Sequence, residues 1–232
     1  MPAAPATVAL TITTRDAALS YDRWFDTPWG RYAFAVERAA IEEAAGPFDG
    51  QLVLDVGCGT GRFMATFEGH AQWAAGIDLD PNMLTVASTR VGGPLLAADA
   101  HQLPICDAAF DVTIAVTLCE FTANPALVVN ELARVTRPGG RIVIGALNPR
   151  SPWGLGRRRR LQRQPWQAAH FLARRQLVAL GATHGRSTLR SSLFTPAPPP
   201  TRWVGPMLEA IGRRAFPALG AFYVLVIEKA PA

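Results

Sequence analysis

The sequence predicts an α/β fold: a mostly parallel, seven-stranded sheet with helices on both faces. Three observations predict it. From residue 50 to residue 148, short apolar runs alternate with helical segments, the pattern of parallel strands joined by helical crossovers. The first of these runs, Leu52-Val53-Leu54-Asp55-Val56, is almost continuously apolar, as a strand buried on both faces must be. That run then empties into a turn carrying Gly57, Gly59 and Gly61, residues that permit backbone conformations closed to other side chains.

The elements follow in order. Residues 1–14 read as a tail. A helix begins near Asp16 and breaks at Thr27-Pro28-Trp29-Gly30, and a second runs from about Arg31 to Ala45, ending at Gly46-Pro47. After the first strand, a helix is expected from Arg62 to Gly69 and a second strand from Trp73 to Ile77, closing on Asp78. Pro81 suits a helix first turn and opens a helix to about Arg90. Leu95 to Ala98 is a third strand and Phe110 to Val116 a fourth. Asn124-Pro125 opens a helix through Arg137, and Pro138-Gly139-Gly140 turns into a fifth strand, Arg141 to Leu147. Beyond Asn148 the regularity fails. A helix over Arg174 to Leu180, a strand-like stretch from Thr183 to Leu193, the Pro196 to Pro200 loop, a helix over Arg202 to Ala215 and a strand from Phe222 to Glu228 complete the chain. We divide its single domain into an N-terminal helical cap (15–48), a core (50–148), a lid-like insertion (149–172) and a C-terminal completion of the sheet (173–232).

Composition bounds the function. With 49% hydrophobic and 18% charged residues, the chain suits a globular core and excludes wholesale disorder. The apolar run from Ala218 to Ile227 is too short to span a bilayer, and Met1 to Thr14 lacks the marks of a secretory signal. Cys58, Cys106 and Cys119, at unrelated spacings, form neither a disulfide framework nor a metal knuckle, so a reducing, cytoplasmic setting is expected and no metal site. The net charge of +5 rests on arginine, since Lys229 is the only lysine. Anionic partners and the codon bias of a GC-rich coding sequence explain that balance equally.

The glycine turn and its acidic partner carry the chemistry. A strand feeding a glycine-rich turn lets backbone amides approach a ligand closely. Asp78, 23 positions after Asp55 and at the end of the second strand, is placed to accept both hydroxyls of a ribose, so the pair points to an adenosine ligand. A dinucleotide fingerprint needs its third glycine at 62, where Arg62 stands, and Asp55 just before the turn would repel a diphosphate. A cationic sulfonium without phosphate tolerates that carboxylate. Both departures favour S-adenosylmethionine (SAM) over NAD.

These segments, with Gly76-Ile77-Asp78, Asp99-Ala100 before Leu103-Pro104, Phe110-Asp111-Val112 and Arg134-Val135-Thr136-Arg137-Pro138-Gly139-Gly140, stand in the order seen in class I SAM-dependent methyltransferases, with their Rossmann-like fold. The chain resembles most the small-molecule group that includes the ubiquinone/menaquinone-biosynthesis methyltransferases. The likeness covers residues 50–148 well, extends to the Tyr21-Asp22-Arg23-Trp24-Phe25 segment, and is loose after 149. It implies that Asp55 stands at the cofactor and that Gly57, Cys58, Gly59 and Gly61 line the methionine part and ribose of SAM. It also implies that Asp78 holds the ribose, that Leu79 and Met83 flank adenine, and that Asp99 and Ala100 meet its amino group and ring nitrogen. Val116 would face the SAM amino group. Ordinary packing explains Leu79 and Met83 equally well.

Methyl transfer from a sulfonium is an in-line displacement with an activated leaving group, so positioning does most of the work and a base is not obligatory. If one is used, the candidates are Glu120, beyond strand four, and Tyr21, followed by His101 and His170. Thr117-Leu118-Cys119-Glu120 replaces the Asn/Asp-Pro-Pro-aromatic turn that grips a flipped base, which argues against DNA. The expected acceptor is a small molecule or lipid precursor, at an O, C or N atom left open. The other reading is a SAM-binding sensor or assembly protein of the same fold. Arg157, Arg158, Arg159 and Arg160 in the insertion suit an acidic partner or a membrane surface, or equally a solvated charge run. The oligomeric state is left open.

Overall fold

The computed structural model describes residues 14–157, 169–195 and 204–231. The seven strands are β1 (Leu52–Val56), β2 (Trp73–Asp78), β3 (Leu95–Ala97), β4 (Phe110–Val116), β5 (Thr136–Leu147), β6 (Arg186–Ser192) and β7 (Phe222–Glu228). They form one sheet in the order β3-β2-β1-β4-β5-β7-β6. β7 runs antiparallel to both β5 and β6, while the pairings among β1 to β5 are parallel. The mostly parallel α/β class is thus the observed one, and the C-terminal ends of β1, β2, β4 and β5 share one edge.

Alternation along the strands builds two cores. Val53 faces one side with Ile41, Phe67 and Phe222, whereas Leu54 and Val56 face the other with Leu132, Leu177 and Leu225. The helices follow that division. α2 (Pro28–Ala45) lies across β5, β7 and β6, while α5 (Pro125–Val135) and α7 (Arg174–Gly181) cover the opposite face. α1 (Arg15–Trp24) packs on α4 (Pro81–Ala87) through Ala18, Val86 and Met83. Of the expected cap, then, only α1 stands at the mouth of the sheet edge, and α2 is a layer of the fold.

Among the boundaries that differ from expectation, three have a clear local reason. α2 starts at Pro28, because Thr27 caps it through Gly30 N–H (3.0 Å). Gly30 is obligatory there, since a Cβ would stand 2.1 Å from the Trp24 carbonyl oxygen. The helix expected over residues 62–69 shrinks to one turn, α3 (Met64–Phe67), because the bonds Thr66 N–H to Phe63 O and His70 N–H to Phe67 O have the three-residue spacing of a tighter turn. α5 stops at Val135, because Thr136 already pairs with Phe110 before a register irregularity leads to the Val112–Arg141 pair. Of the insertion, α6 (Pro152–Arg157) is seen, and Trp153 packs against the first core. Arg158, Arg159 and Arg160 lie outside the described residues, as does the Pro196 to Pro200 loop. α8 (Val204–Ala215) closes the list of helices, and among the described residues none is long and apolar enough to cross a membrane.

Candidate functional site

The glycine turn leaves β1 with left-handed backbone at Gly57 (φ 74°), Gly59 (54°) and Gly61 (75°). Gly57 and Cys58 donate their N–H groups to the Ile77 carbonyl (2.7 and 3.0 Å), which ties the turn to β2. The glycines then serve different ends. A Cβ on Gly59 would meet nothing within 4 Å, so this face of the turn is open space. A Cβ on Gly61 would stand 3.1 Å from that of Ala87, so Gly61 admits α4 to close packing. Cys58 turns inward, where its Sγ would stand 2.8 Å from a Cβ on Gly76.

The turn borders a cleft of about 930 Å³, open mouth included, across the C-terminal ends of β1, β2 and β4. Gly57, Gly59, Asp78, Leu79, Met83, Asp99, Ala100 and Val116 line it, as the sequence led us to expect, and Tyr21 of α1 forms part of its wall. Asp78 accepts the Gly59 N–H at Oδ2 (2.8 Å) and the Asp80 N–H at Oδ1 (2.9 Å). Burial raises its pKa, an effect those amides oppose and Asp80 reinforces.

Cys58, Gly61 and Asp55 are absent from the lining. Asp55 is 1% exposed, on the same face of β1 as Val53, beneath the turn. Burial and the neighbouring Asp78 charge push its carboxyl up to about 7, against the Met64 amide that hydrogen-bonds it. Its Oδ2 has no hydrogen-bond partner among the described residues. A carboxylate pair with an orphaned oxygen, beside a turn with open space at Gly59, is the electrostatic complement of a cationic nucleoside and fits SAM.

The catalytic expectations need correction. Glu120 is fully buried and does not line the cleft; its Oε1 accepts the Leu147 N–H (2.6 Å) and its carbonyl accepts the His170 N–H (2.7 Å). It joins the ends of β4 and β5, in the segment where the chain leaves β4 with a left-handed step at Thr117 (φ 52°) and Cys119 and Glu120 turn inward. Tyr21 faces the cleft, but burial and the carboxylates of Glu37, Asp78 and Asp22 raise its phenol far above the ordinary value, so it remains a neutral donor and not a base.

His101 stands where Glu120 was expected. Its Nδ1 lies 2.7 Å from Asp99 Oδ1, which also accepts its backbone N–H (2.9 Å), and its Nε2 meets the Thr122 hydroxyl. Burial alone would raise the Asp99 carboxyl, but both His101 groups hold it below its usual value. Asp99, His101 and Thr122 all line the cleft. Thr122 carries no motif signal, since only folding brings residues 101 and 122 together.

A clasp closes the α1 side. Asp22 accepts from Arg62 Nε (2.8 Å), Thr60 Oγ1 (2.7 Å) and Arg90 Nη2 (2.8 Å), joining α1 to the glycine turn and to the end of α4. Burial opposes ionisation of Asp22, yet the Arg62, Thr60 and Arg90 bonds hold its pKa below the usual range. These residues carry no periodic signal that could have announced the pairing.

Comparison with known proteins agrees with this geometry. A family profile described as a methyltransferase domain matches residues 54–144. An uncharacterized protein of Methanocaldococcus jannaschii is 30% identical over 166 residues, 70% of this chain and 75% of the relative. One of Mycobacterium tuberculosis is 35% identical over 175 residues, 74% of this chain and 58% of the relative, so the chain spans little more than half of that protein. In fold, the chain is similar to a Thermotoga maritima SAM-dependent methyltransferase described as a possible histamine N-methyltransferase, with TM-score 0.74, 22% identity, and coverage of 93% of this chain and 97% of that one. Strand order, glycine turn, the carboxylate ending β2 and these matches lead to one conclusion: the chain carries a methyltransferase domain, matched over residues 54–144, in the fold of the class I SAM-dependent methyltransferases.

Proposed function

We propose that the cleft binds SAM and delivers its methyl group to a small-molecule or lipid-like acceptor entering beside Phe121 and Thr122. The observation that carries this reading is Asp78, a ribose-directed carboxylate fixed by the Gly59 amide at the rim of open space. Bound there, SAM supplies an electrophilic methyl on an activated sulfonium. The residues of the chain do the rest. Asp78 keeps free lone pairs for the ribose hydroxyls, and Asp99 keeps its second carboxylate oxygen for the adenine amino group. Asp55 and Asp78 offset the ligand's positive charge. Leu79, Leu118 and Phe121 exclude water from the reacting atoms.

As the bond from acceptor to methyl forms and the sulfur–methyl bond breaks, an O–H, N–H or C–H acceptor must lose a proton. We assign its reception to His101 through the Thr122 hydroxyl, with Asp99 orienting the ring. Arg157 to Arg160 remain a suggested contact for an acidic or lipid surface. A reducing, cytoplasmic compartment suits the free Cys58, Cys106 and Cys119. The test is incubation with methyl-labelled SAM and a lysate separated into lipid, small-molecule, protein and RNA fractions. Label is expected in the lipid or small-molecule fraction; label in RNA or protein alone would overturn the acceptor class.

A further inference from the structure

Helix α8 is turned inside out. Its buried stripe is Gly205, Glu209 and Gly212, one small or acidic residue per turn. Its outward face carries Met207, Leu208 and Ile211, and the following turn adds Phe216 and Leu219, all between 36% and 56% exposed. Two contacts set this orientation. The Glu209 carboxylate is 6% exposed and accepts two successive amides, Leu193 N–H at 2.9 Å and Phe194 N–H at 2.8 Å. Gly212 lies under the Phe194 ring, where a Cβ would stand 2.2 Å from the ring. Rotating the helix to bury its apolar face would leave the Leu193 and Phe194 amides without their acceptor and drive the Phe194 ring off its seat. The apolar residues therefore face outward by construction, and a contiguous exposed apolar patch of this kind marks an interaction surface.

Charge identifies the occupant. The only formal charges on the outward side of residues 204–221 are Arg213 and Arg214, both cations at the last turn, and the one acid of that stretch is the buried Glu209. Arg213 is paired with Glu43, while Arg214 stands next to the Met207 and Ile211 positions on the helical wheel, where its long stem can lie along apolar surface with the charge at the rim. A second copy of the chain would bring to this face no carboxylate from the same stretch and would set cation against cation. An anionic bilayer offers both partners at once, acyl chains for the side chains and a phosphate for Arg214.

Position supports the same occupant. The turn from Phe216 to Gly220 is held at the C-terminal end of β5, where Asn148 Nδ2 donates to the Ala218 (2.9 Å) and Gly220 (2.8 Å) carbonyls. This is the sheet edge that carries the cleft, and exposed Leu155 of α6 springs from it as well. We infer that α8 and the Phe216–Leu219 turn form a docking surface for anionic membrane, which sets the cleft at the level where a lipid-like acceptor resides. The purpose of this surface rests on the acceptor class proposed above, while its existence does not.

The test is flotation of the full chain with vesicles of phosphatidylcholine alone and of phosphatidylcholine with phosphatidylglycerol. The protein is expected to float with the anionic vesicles, and added salt should weaken the association. Joint replacement Ile211→Ser and Phe216→Ser should lower the bound fraction at least about tenfold, and Arg214→Gln should lower it on anionic vesicles only. SAM binding by calorimetry and the circular dichroism spectrum should be unchanged in every variant, so loss of docking is read separately from loss of cofactor binding or fold. Three results would overturn the inference: no flotation of the wild-type chain, equal flotation of the serine variant, or a concentration-dependent dimer abolished by those serines in a chain that ignores vesicles.

Discussion

Asp78, Asp55 and His101 do separate work within one cleft. Asp78 engages the turn with one face of its carboxylate and leaves the other for a ribose, so Asp78→Ala should weaken SAM at least about tenfold by calorimetry, the scale of a charge-assisted bond lost at each hydroxyl. An unaltered dichroism spectrum would show that the loss is local. Asp55 acts through charge. Its ordinary value is 3.8 and its folded value about 7, so the folded protein binds the proton more tightly than the unfolded chain. The contribution of this group to stability is therefore lost as pH rises between those two values. Asp55→Asn should raise the thermal midpoint of the ligand-free protein relative to wild type above about pH 7, and the difference should vanish in acid. His101→Gln should lower the methyl-transfer rate by about a hundredfold with SAM affinity largely retained. An unchanged rate in a folded variant would remove His101 from proton transfer. Asp55 and Asp78 were legible in the sequence because one interrupts the apolar run of β1 just before the glycine turn and the other ends β2. Glu120 was misread because a position after a strand does not reveal which way the turn will point it.

At the level of elements, α1 is held over the site by ions more than by oil. Asp22 with Arg62, Arg90 and Thr60 forms the tie, and Asp22→Asn should cost about 1–3 kcal/mol in urea denaturation while loosening Tyr21 from the cleft wall. Because the folded carboxyl is held below 3.8, that stability is present above this value and fades as pH falls through the lowered one. The clasp was not readable beforehand: Asp22 and Arg90 are 68 positions apart, and neither lies on a periodic face. Helix α8 shows the converse limit. A helix was expected there, but the usual rule that an apolar face looks inward fails, because Glu209 and Gly212 offer the better fit to Leu193 and Phe194.

For the molecule as a whole, the strands and the mostly parallel class came through clearly, since parallel strands buried on both faces leave an apolar trace. A ligand bound only by the folded chain adds stability by mass action, so SAM at a hundred times its dissociation constant should contribute about 2.7 kcal/mol and raise the thermal midpoint by several degrees. NAD should leave the midpoint unmoved; an equal shift with NAD would contradict the cofactor assignment.

The antiparallel strand between β5 and β6 has a consequence for how the sheet is assembled. β6 finds its hydrogen-bond neighbour only in residues 222–228, thirty or more positions further along. A nascent chain that has emerged as far as Ser192 therefore carries an unfinished sheet whose outer rung, β5, is long and largely apolar, paired to β4 on one edge and open on the other. Such a rung is an invitation to other chains. Fragments that stop before Phe222 should clump during expression, however intact their cofactor cleft.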